Sequence, residues 1–334
     1  MGKIKTPSSA PRAVTHRRDE IDLHAKWRTV IDEAVRVDDA GEPRRALVML
    51  APLLAATVEQ APSPHLAAKA QYAAGQCALS LADYAASDRH SESALAIACA
   101  ARDSGTEAMV LSLRAQIRYH QGNYNECLAL ARRAAEVSSA HGYESLAAEA
   151  YIPQIMAYAG RGAFECGREC VAKGIAHAER GDSALMRAQL YNAAGLHHYY
   201  EGLARVLTPE MNRQVALLDA ESIAPARGDF ELAEARLRKA INIVDALGEL
   251  RFSDAMRANL YRVLVLIGKA EEAIPFLKKH IRNTQRRALV SDEISARHAY
   301  AWALRSLGHH EESLAQVDAA LALSRRAGRV NRLV

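Results

Sequence analysis

The sequence predicts an all-α fold, a right-handed solenoid of about seven antiparallel helix hairpins, and three observations lead to this prediction. Half of the 334 residues are apolar but only 5% are aromatic, and alanine dominates the apolar set. Alanine has the strongest helix preference and lets helix backbones approach closely. A strand would show as a run of alternating β-branched residues, and the sequence has no sustained run of this kind. Glycine also recurs at a fixed interval, which indicates a repeated structural unit.

The repeated unit is about 40 residues long. The evenly spaced positions are Gly41, Ala82, Gly122, Gly162 and Gly202 in a first series and Gly228, Gly268 and Gly308 in a second. Only 26 residues separate Gly202 from Gly228, so the register breaks once between the two series. We expect each position to lie in the turn of a helix hairpin, because glycine ends a helix and allows the chain to reverse.

Small side chains recur at fixed distances from these turns. An aromatic residue follows the turn glycine by two positions at Tyr124, Phe164 and Phe230. The small residues three positions further along are Ser87, Cys127, Gly167, Ala233, Ala273 and Ser313. Small side chains at this place let the axes of two crossing helices approach each other, while the aromatic ring fills the space beside them.

This pattern resembles the tetratricopeptide repeat, in which a helix A, a turn and a helix B form one unit. The segment YNAAGLHHYYEG, residues 191–202, is the closest match to helix A of that family. The resemblance covers residues 21–328, but the unit is 40 residues long rather than about 34. The family's proline near the end of helix B is also absent. Units of this length resemble the sensor and scaffold solenoids of bacterial regulatory proteins.

The repeat and its flanks define the domain organisation. The predicted segments are a disordered basic tail at 1–20, the solenoid at 21–328 and a C-terminal tail at 329–334. The predicted hairpins are 21–60, 65–103, 106–141, 145–180, 183–248, 252–286 and 291–328. The fifth hairpin carries an insertion at about 203–227, where Thr208-Pro209 is a helix-start signal that predicts one extra helix. That helix either lengthens the solenoid or covers its groove as a lid or docking element.

Charge and hydropathy exclude several classes of partner. The net charge of +4 comes from well-mixed charged residues, without the clustered basic stripe that nucleic-acid binding needs. We also find no run of 18 apolar residues, so no membrane partner is predicted. The first 20 residues lack the apolar core of a secretory signal. The five cysteines are therefore predicted to be free thiols in a reducing cytoplasm.

The resemblance implies a partner-binding groove lined by the A helices. Its predicted lining residues are Tyr72, Gln76, Ser112, Gln116, Tyr119, Met156, Asn192, Leu196, Tyr199, Asn259, Arg262, His298 and Trp302. Amide side chains can hydrogen-bond the backbone of an extended peptide, and aromatic rings supply rigid contact area. The family's clamp for a C-terminal carboxylate is not expected, because the candidate cations Lys69 and Arg262 lie too many repeats apart. The alternative is that these residues form only a solvated inner face.

No metal, cofactor or catalytic group is predicted. Adjacent residues on a helix point about 100° apart, so His197-His198 and His309-His310 are interpreted as turn and packing residues. The interpretation assumes that no acidic residue lies at a spacing along the helix that would make it a third metal ligand beside either histidine pair. Cys166 and Cys170 share a helix face and are interpreted as two buried thiols rather than a redox pair or half a metal site. Motifs of metalloproteases, phosphate loops and serine hydrolases are absent from the sequence.

Two functional hypotheses follow, neither of them an enzyme. The first is a non-catalytic scaffold that binds a protein or peptide in the concave groove. The alternative is a sensory or regulatory input module of a bacterial signalling protein, for example one linked to a diguanylate cyclase (GGDEF) or a transcriptional output domain. The basic segment 324–334 follows the last helix without a polar capping helix, which predicts either a homo-oligomer formed through that end or a further domain that follows it.

Overall fold

The computed structural model of the chain describes residues 10–207, 221–248, 250–286 and 290–326. These residues form helices joined by turns, with no β-strand among them. The helices are α1 (Ala10–Asp39), α2 (Pro43–Ala55), α3 (Pro64–Ser80), α4 (Tyr84–Ala100), α5 (Ser104–His120), α6 (Tyr124–Ala140), α7 (Glu144–Gly160), α8 (Phe164–Arg180), α9 (Ala184–Val206), α10 (Arg227–Leu247), α11 (Leu250–Leu266), α12 (Ala270–Arg286), α13 (Val290–Ser306) and α14 (His310–Arg326). This order confirms the prediction of an all-α solenoid built from helix pairs.

Turns are present at most of the positions that the 40-residue repeat predicts. Gly122, Gly162, Gly268 and Gly308 have φ between +70° and +81° and lie between two helices, which confirms their predicted role. Ala82 occupies the equivalent turn with a φ of 58°, a conformation that costs an L residue about 1 kcal/mol. The spacing of the repeat therefore dictates the backbone conformation even where glycine is absent.

The prediction was wrong for the turns at Gly202 and Gly228. Helix α9 continues through Gly202 to Val206, and Gly228 lies in the first turn of α10. A Cβ atom on Gly202 would lie 2.9 Å from the ring of Phe230, so glycine at this position allows α9 and α10 to approach closely. Gly202 therefore occupies a turn position of the repeat pattern but serves the packing of the two helices instead.

Two predicted segments lie partly outside the described residues. Helix α1 begins at Ala10, inside the segment predicted as a disordered tail, while residues 1–9 lie outside the description. Most of the predicted inserted helix is also outside it, at 208–220. The described end of the insertion is a short 3₁₀ turn, Ala224–Ala226, that leads into α10. The C-terminal segment from residue 327 onwards lies outside the description as well.

The chain divides into two compact units, of which the first ends at Gln121 and contains α1 to α5. Its apolar core includes Trp27, Ile31 and Leu50. The side chain of Asp103 caps α5 by accepting a hydrogen bond from the backbone N–H of Thr106 at 3.0 Å. Such caps stabilise a helix by about 1 kcal/mol, and equivalent side-chain caps fix where α3 and α4 begin.

The second unit begins at Gly122 and contains α6 to α14. Each helix in it packs mainly against helices one or two places away along the chain, as a solenoid requires. Small residues lie at the crossings, and Gly195 of α9 is an example, because its added Cβ would lie 2.6 Å from Cγ of Leu237. The predicted small positions in this unit, Cys127, Gly167, Ala233, Ala273 and Ser313, are all buried.

Candidate functional site

The predicted groove residues of the first unit are only partly accessible. Tyr72 and Ser112 are buried, so they offer no surface to a partner. Gln76 is half-buried and donates a hydrogen bond from Nε2 to the Tyr72 hydroxyl at 2.8 Å, so its amide is already engaged. Gln116 and Tyr119 are half-buried on α5, two helices further on. Of the groove residues predicted in this unit, Gln116 and Tyr119 therefore remain as partly accessible polar candidates for contact with a partner.

In the second unit the predicted residues differ in exposure. Met156, Leu196 and Trp302 are half-buried, and His298 is exposed. Tyr199 is buried, and burial raises the pKa of its phenol to about 12 against the opposing effect of the Arg262 guanidinium. Tyr199 packs edge-on against Phe230, with the ring centroids 6.3 Å apart. We therefore treat Tyr199 as a core residue and leave it out of the candidate surface.

Three predicted residues meet across two A helices. Asn259 of α11 donates a hydrogen bond from Nδ2 to Oδ1 of Asn192 on α9, at 2.9 Å. Arg262, one turn further along α11, donates to Oδ1 of Asn259 at 2.7 Å. All three side chains are half-buried. We call Asn192, Asn259 and Arg262 the amide–guanidinium cluster, and it joins α9 to α11 on the face that the repeat pattern assigns to the groove.

The hydrogen bonds of this cluster have a direction. In both asparagines the amide oxygen accepts one of these bonds, and only Asn259 also donates from its Nδ2 group. The Nδ2 group of Asn192 has no hydrogen-bond partner within the described part of the chain. Arg262 uses a single nitrogen in the cluster and retains further N–H donors. The cluster is thus held in a fixed arrangement and presents donors, which match the carbonyl and carboxylate oxygens of a ligand.

Sequence analysis missed an acidic residue on the neighbouring A helix. Glu149 of α7 lies seven residues, two helical turns, before Met156 and therefore shares its face. Its half-buried carboxylate has no hydrogen bond or ion pair to the described residues, and burial raises its pKa to about 7. The signal was available in the sequence, because Glu149 is the one charged residue of α7 beyond its first turn.

The interpretation of the His197-His198 pair needs a correction. Glu201 lies three and four residues after these histidines on α9, so an acidic residue does stand at ligand spacing. Nδ1 of each histidine is 3.9 Å from Oε2 of Glu201, and His197 is fully buried. Burial lowers the pKa of His197 to about 4, so its ring is neutral at neutral pH. The pattern H-H-x-x-E was the signal that sequence reasoning overlooked.

The other histidine and cysteine pairs behave differently from each other. His309 and His310 are exposed at the start of α14, consistent with turn residues. Cys170 is buried, and burial raises the pKa of its thiol to about 11. Cys166 is exposed, so the prediction of two buried thiols was wrong for this residue. Cys166 lies four residues before the buried Cys170 and is exposed near the start of α8.

A cavity of about 310 Å³ lies beside α10, α11 and α12. Ser253, Tyr261 and Phe276 are among its lining residues. Its charged groups are partly paired with each other, as Arg257 donates to the Asp245 carboxylate at 2.5 Å. The rings of Tyr261 and Phe276 stack 5.3 Å apart along its wall. This cavity contains none of the residues predicted for the groove.

Comparisons with known proteins place the fold. No protein-family model matches the sequence, and no curated protein matches it. Among solved structures, a Rap protein in complex with Competence and Sporulation Factor aligns with a TM-score of 0.55 and 13% identity. That alignment covers 92% of this chain and 98% of the Rap protein. No described helix has the length and apolar character needed to cross a bilayer.

A second solved structure of similar shape is a signal-transduction ATPase with numerous domains from Pyrococcus horikoshii, which carries a tetratricopeptide repeat sensor. It aligns with a TM-score of 0.54 and 14% identity over 93% of this chain. The present chain spans 44% of the length of that protein. Identities this low establish the fold alone. The protein is therefore a helical solenoid with the tetratricopeptide-repeat fold.

Proposed function

We propose that the protein is a non-catalytic scaffold that binds an extended protein or peptide segment along the A helices of its second unit. The observation that carries this proposal is the amide–guanidinium cluster, in which side chains from α9 and α11 are held together and present hydrogen-bond donors. An extended peptide exposes backbone carbonyls at regular intervals, and donors held in place bind them without a large loss of side-chain entropy.

The surroundings of the cluster fit such a ligand. Leu196 lies one turn after Asn192 on α9, and its half-buried side chain offers apolar contact area beside the amides. Met156 offers the same on α7. Arg262 supplies a cation for an acidic side chain of the ligand. We therefore expect the preferred segment to combine apolar residues with at least one acidic residue.

The similarity to the Rap protein supports the scaffold proposal. That solenoid is nearly the same length and was solved with Competence and Sporulation Factor bound. The Pyrococcus protein supports the alternative, in which the chain is the sensory or regulatory input module of a signalling protein, because there a solenoid of this fold serves as a sensor. Both functions require binding, and they differ in whether binding alters the activity of an output domain.

Affinity selection from a library of random peptides, followed by fluorescence polarisation, tests the proposal. The double variant Asn192→Ala, Arg262→Ala should bind a selected peptide about thirtyfold more weakly, since two lost hydrogen bonds of about 1 kcal/mol each cost about 2 kcal/mol. The matched control is Asn242→Ala, Arg282→Ala, which removes the same residue types from exposed positions on α10 and α12. Equal affinity of the two double variants would refute binding at the cluster.

A further inference from the structure

The residues His197, His198 and Glu201 bring three potential metal ligands together near the end of α9. Because the carboxylate follows the two histidines by four and three residues, it lies one helical turn above both rings. One ligand atom from each residue lies within 4.8 Å of the other two. Adjacent histidines on a helix point in different directions. Glu201 nevertheless lies 3.9 Å from Nδ1 of each ring, so the three residues together form a group of potential ligands.

The hydrogen bonding of His197 fixes which nitrogen carries its proton. Nε2 lies 3.1 Å from the backbone carbonyl oxygen of Phe164, and a carbonyl can only accept a hydrogen bond. Nε2 is therefore protonated, and Nδ1 carries the lone pair directed toward Glu201. Metal-binding histidines usually donate their second nitrogen to a carbonyl or carboxylate in this way.

Both Nδ1 atoms are buried without a hydrogen-bond partner among the described residues. Leaving a buried polar atom unpaired costs about 1–3 kcal/mol, so two such atoms directed at one carboxylate oxygen are unusual. The side chain of His197 has no exposed surface, whereas that of His198 is 12% exposed. An ion can therefore reach the group from the side of His198.

The second carboxylate oxygen of Glu201 is already engaged. Oε1 accepts hydrogen bonds from Arg168 of α8 and from Arg205, the latter at 3.1 Å, which leaves Oε2 facing the histidines. Asp229 of α10 lies 3.1 Å from Arg205 and balances the second guanidinium charge. The carboxylate group is thus held in one orientation by the two guanidinium groups.

We propose that His197, His198 and Glu201 form a binding site for one divalent transition-metal ion, with Zn²⁺ as the best match. Two imidazole nitrogens and one carboxylate oxygen are a donor set that Zn²⁺ prefers and Mg²⁺ or Ca²⁺ does not. Tetrahedral ligands with bonds of about 2.1 Å lie about 3.4 Å apart. The two histidine-to-carboxylate distances of 3.9 Å must therefore each shorten by about half an ångström, and the distance between the two histidine ligand atoms, at most 4.8 Å, by up to about 1.4 Å. The fourth position is open to water or to a group from a ligand.

Isothermal titration of the metal-stripped full chain with ZnCl₂ tests this site. Cys99 and Cys166 are exposed thiols, so every sample carries Cys99→Ser and Cys166→Ser to remove sulfur ligands outside the site. We expect one equivalent of Zn²⁺ to bind, and Co²⁺ in its place to give a visible spectrum typical of nitrogen and oxygen ligands. Absence of one-to-one binding would overturn the proposal and leave a buried water as the group that pairs the two nitrogens.

Variants assign the ligands. His198→Gln and Glu201→Gln should each weaken Zn²⁺ binding at least tenfold and change the Co²⁺ spectrum. His197→Gln removes Nδ1 while keeping an N–H group near the Phe164 carbonyl. If His197→Gln fails to fold, His198→Gln still tests the site, because His198 is the least buried of the three ligands. The matched control is His309→Gln, because His309 and His310 are an exposed pair with Glu312 3.6 Å away. Unchanged affinity in His198→Gln and Glu201→Gln, or loss of binding in the control, would refute the site.

Discussion

At the scale of single residues, Glu149 links the candidate groove to pH. Burial raises the pKa of its carboxyl to about 7 from an ordinary value of 4.5, so between these values the folded state binds more protons than the unfolded state. Stability contributed by the protonated form is complete below about pH 4.5 and is lost as the pH rises toward 7. The charged carboxylate therefore destabilises the fold above pH 7.

We predict that Glu149→Gln, which mimics the protonated acid, stabilises the protein at pH 8 but not at pH 4.5. The expected gain in the free energy of unfolding is about 1 kcal/mol, because the half-exposed side chain is screened by solvent. Urea unfolding at the two pH values measures it. Glu136→Gln, an exposed position on α6, is the control and should show no pH-dependent difference. A gain of the same size at both pH values would contradict the assignment to Glu149 titration.

Spacing along the helices predicts which side chains lie near one another, whereas their role in binding a partner stays a prediction. The repeat positions predict Asn192, Asn259 and Arg262, and the structure brings these three side chains together. Tyr72, Ser112 and Tyr199 came from the same positions but are buried, because their depth depends on how closely the neighbouring helices approach. The pair His197-His198 taken alone does not predict the contact with Glu201, whereas the i+3 and i+4 spacing of the pattern H-H-x-x-E does.

At the scale of helices, glycine sets the distance between α9 and α10. An added Cβ on Gly195 would lie 2.6 Å from Cγ of Leu237 and 3.2 Å from the backbone oxygen of Ala233, so the helices must separate to accept it. Gly228, also in this hairpin, has no atom within 4 Å of an added Cβ. A substitution at Gly195 therefore reports on close helix packing, whereas a substitution at Gly228 reports only on the intrinsic helix preference of the new residue.

We predict that Gly195→Val lowers the free energy of unfolding by about 2–3 kcal/mol, since overpacking a crossing forces a backbone shift. Gly228→Ala should leave stability unchanged or raise it by up to about 1 kcal/mol, because alanine favours the helix more than glycine. Thermal and urea unfolding followed by circular dichroism measure both changes. Equal destabilisation by the two substitutions would show that the crossing is not limited by the volume at Gly195.

The helices themselves were largely predictable from the repeat, except around Gly202 and Gly228. Glycine ends a helix when its backbone takes positive φ, as at Gly162, but it also permits close contact within a helix, as at Gly202 beside Phe230. The two uses look alike in a sequence. Only the packing partner separates them, and that partner lies 28 residues away along the chain.

At the scale of the molecule, the period of 40 residues predicted the solenoid because each unit buries its apolar face only against its neighbours. The division of the chain at Gln121 and Gly122 was not predicted, since it falls in one of the regular turns. Within the second unit, contacts connect helices that are close along the chain, such as α9 with α10 and α12 with α13. Stability in such an array is a sum of local terms, so damage should remain local.

Hydrogen exchange of Leu237→Ala measures this locality. Leu237 is fully buried on α10, and its truncation should cost about 2–4 kcal/mol by leaving a cavity. We predict faster exchange in α9, α10 and the helices that pack on them, while α13 and α14 keep their wild-type rates, because their contacts are with α11 and α12 and with each other. The comparison variant is Leu232→Ala, an exposed residue of the same helix that should change no rate. Loss of protection spread evenly from α6 to α14 would mean that the second unit unfolds as one cooperative globule, and the additive description of the repeat would then be wrong.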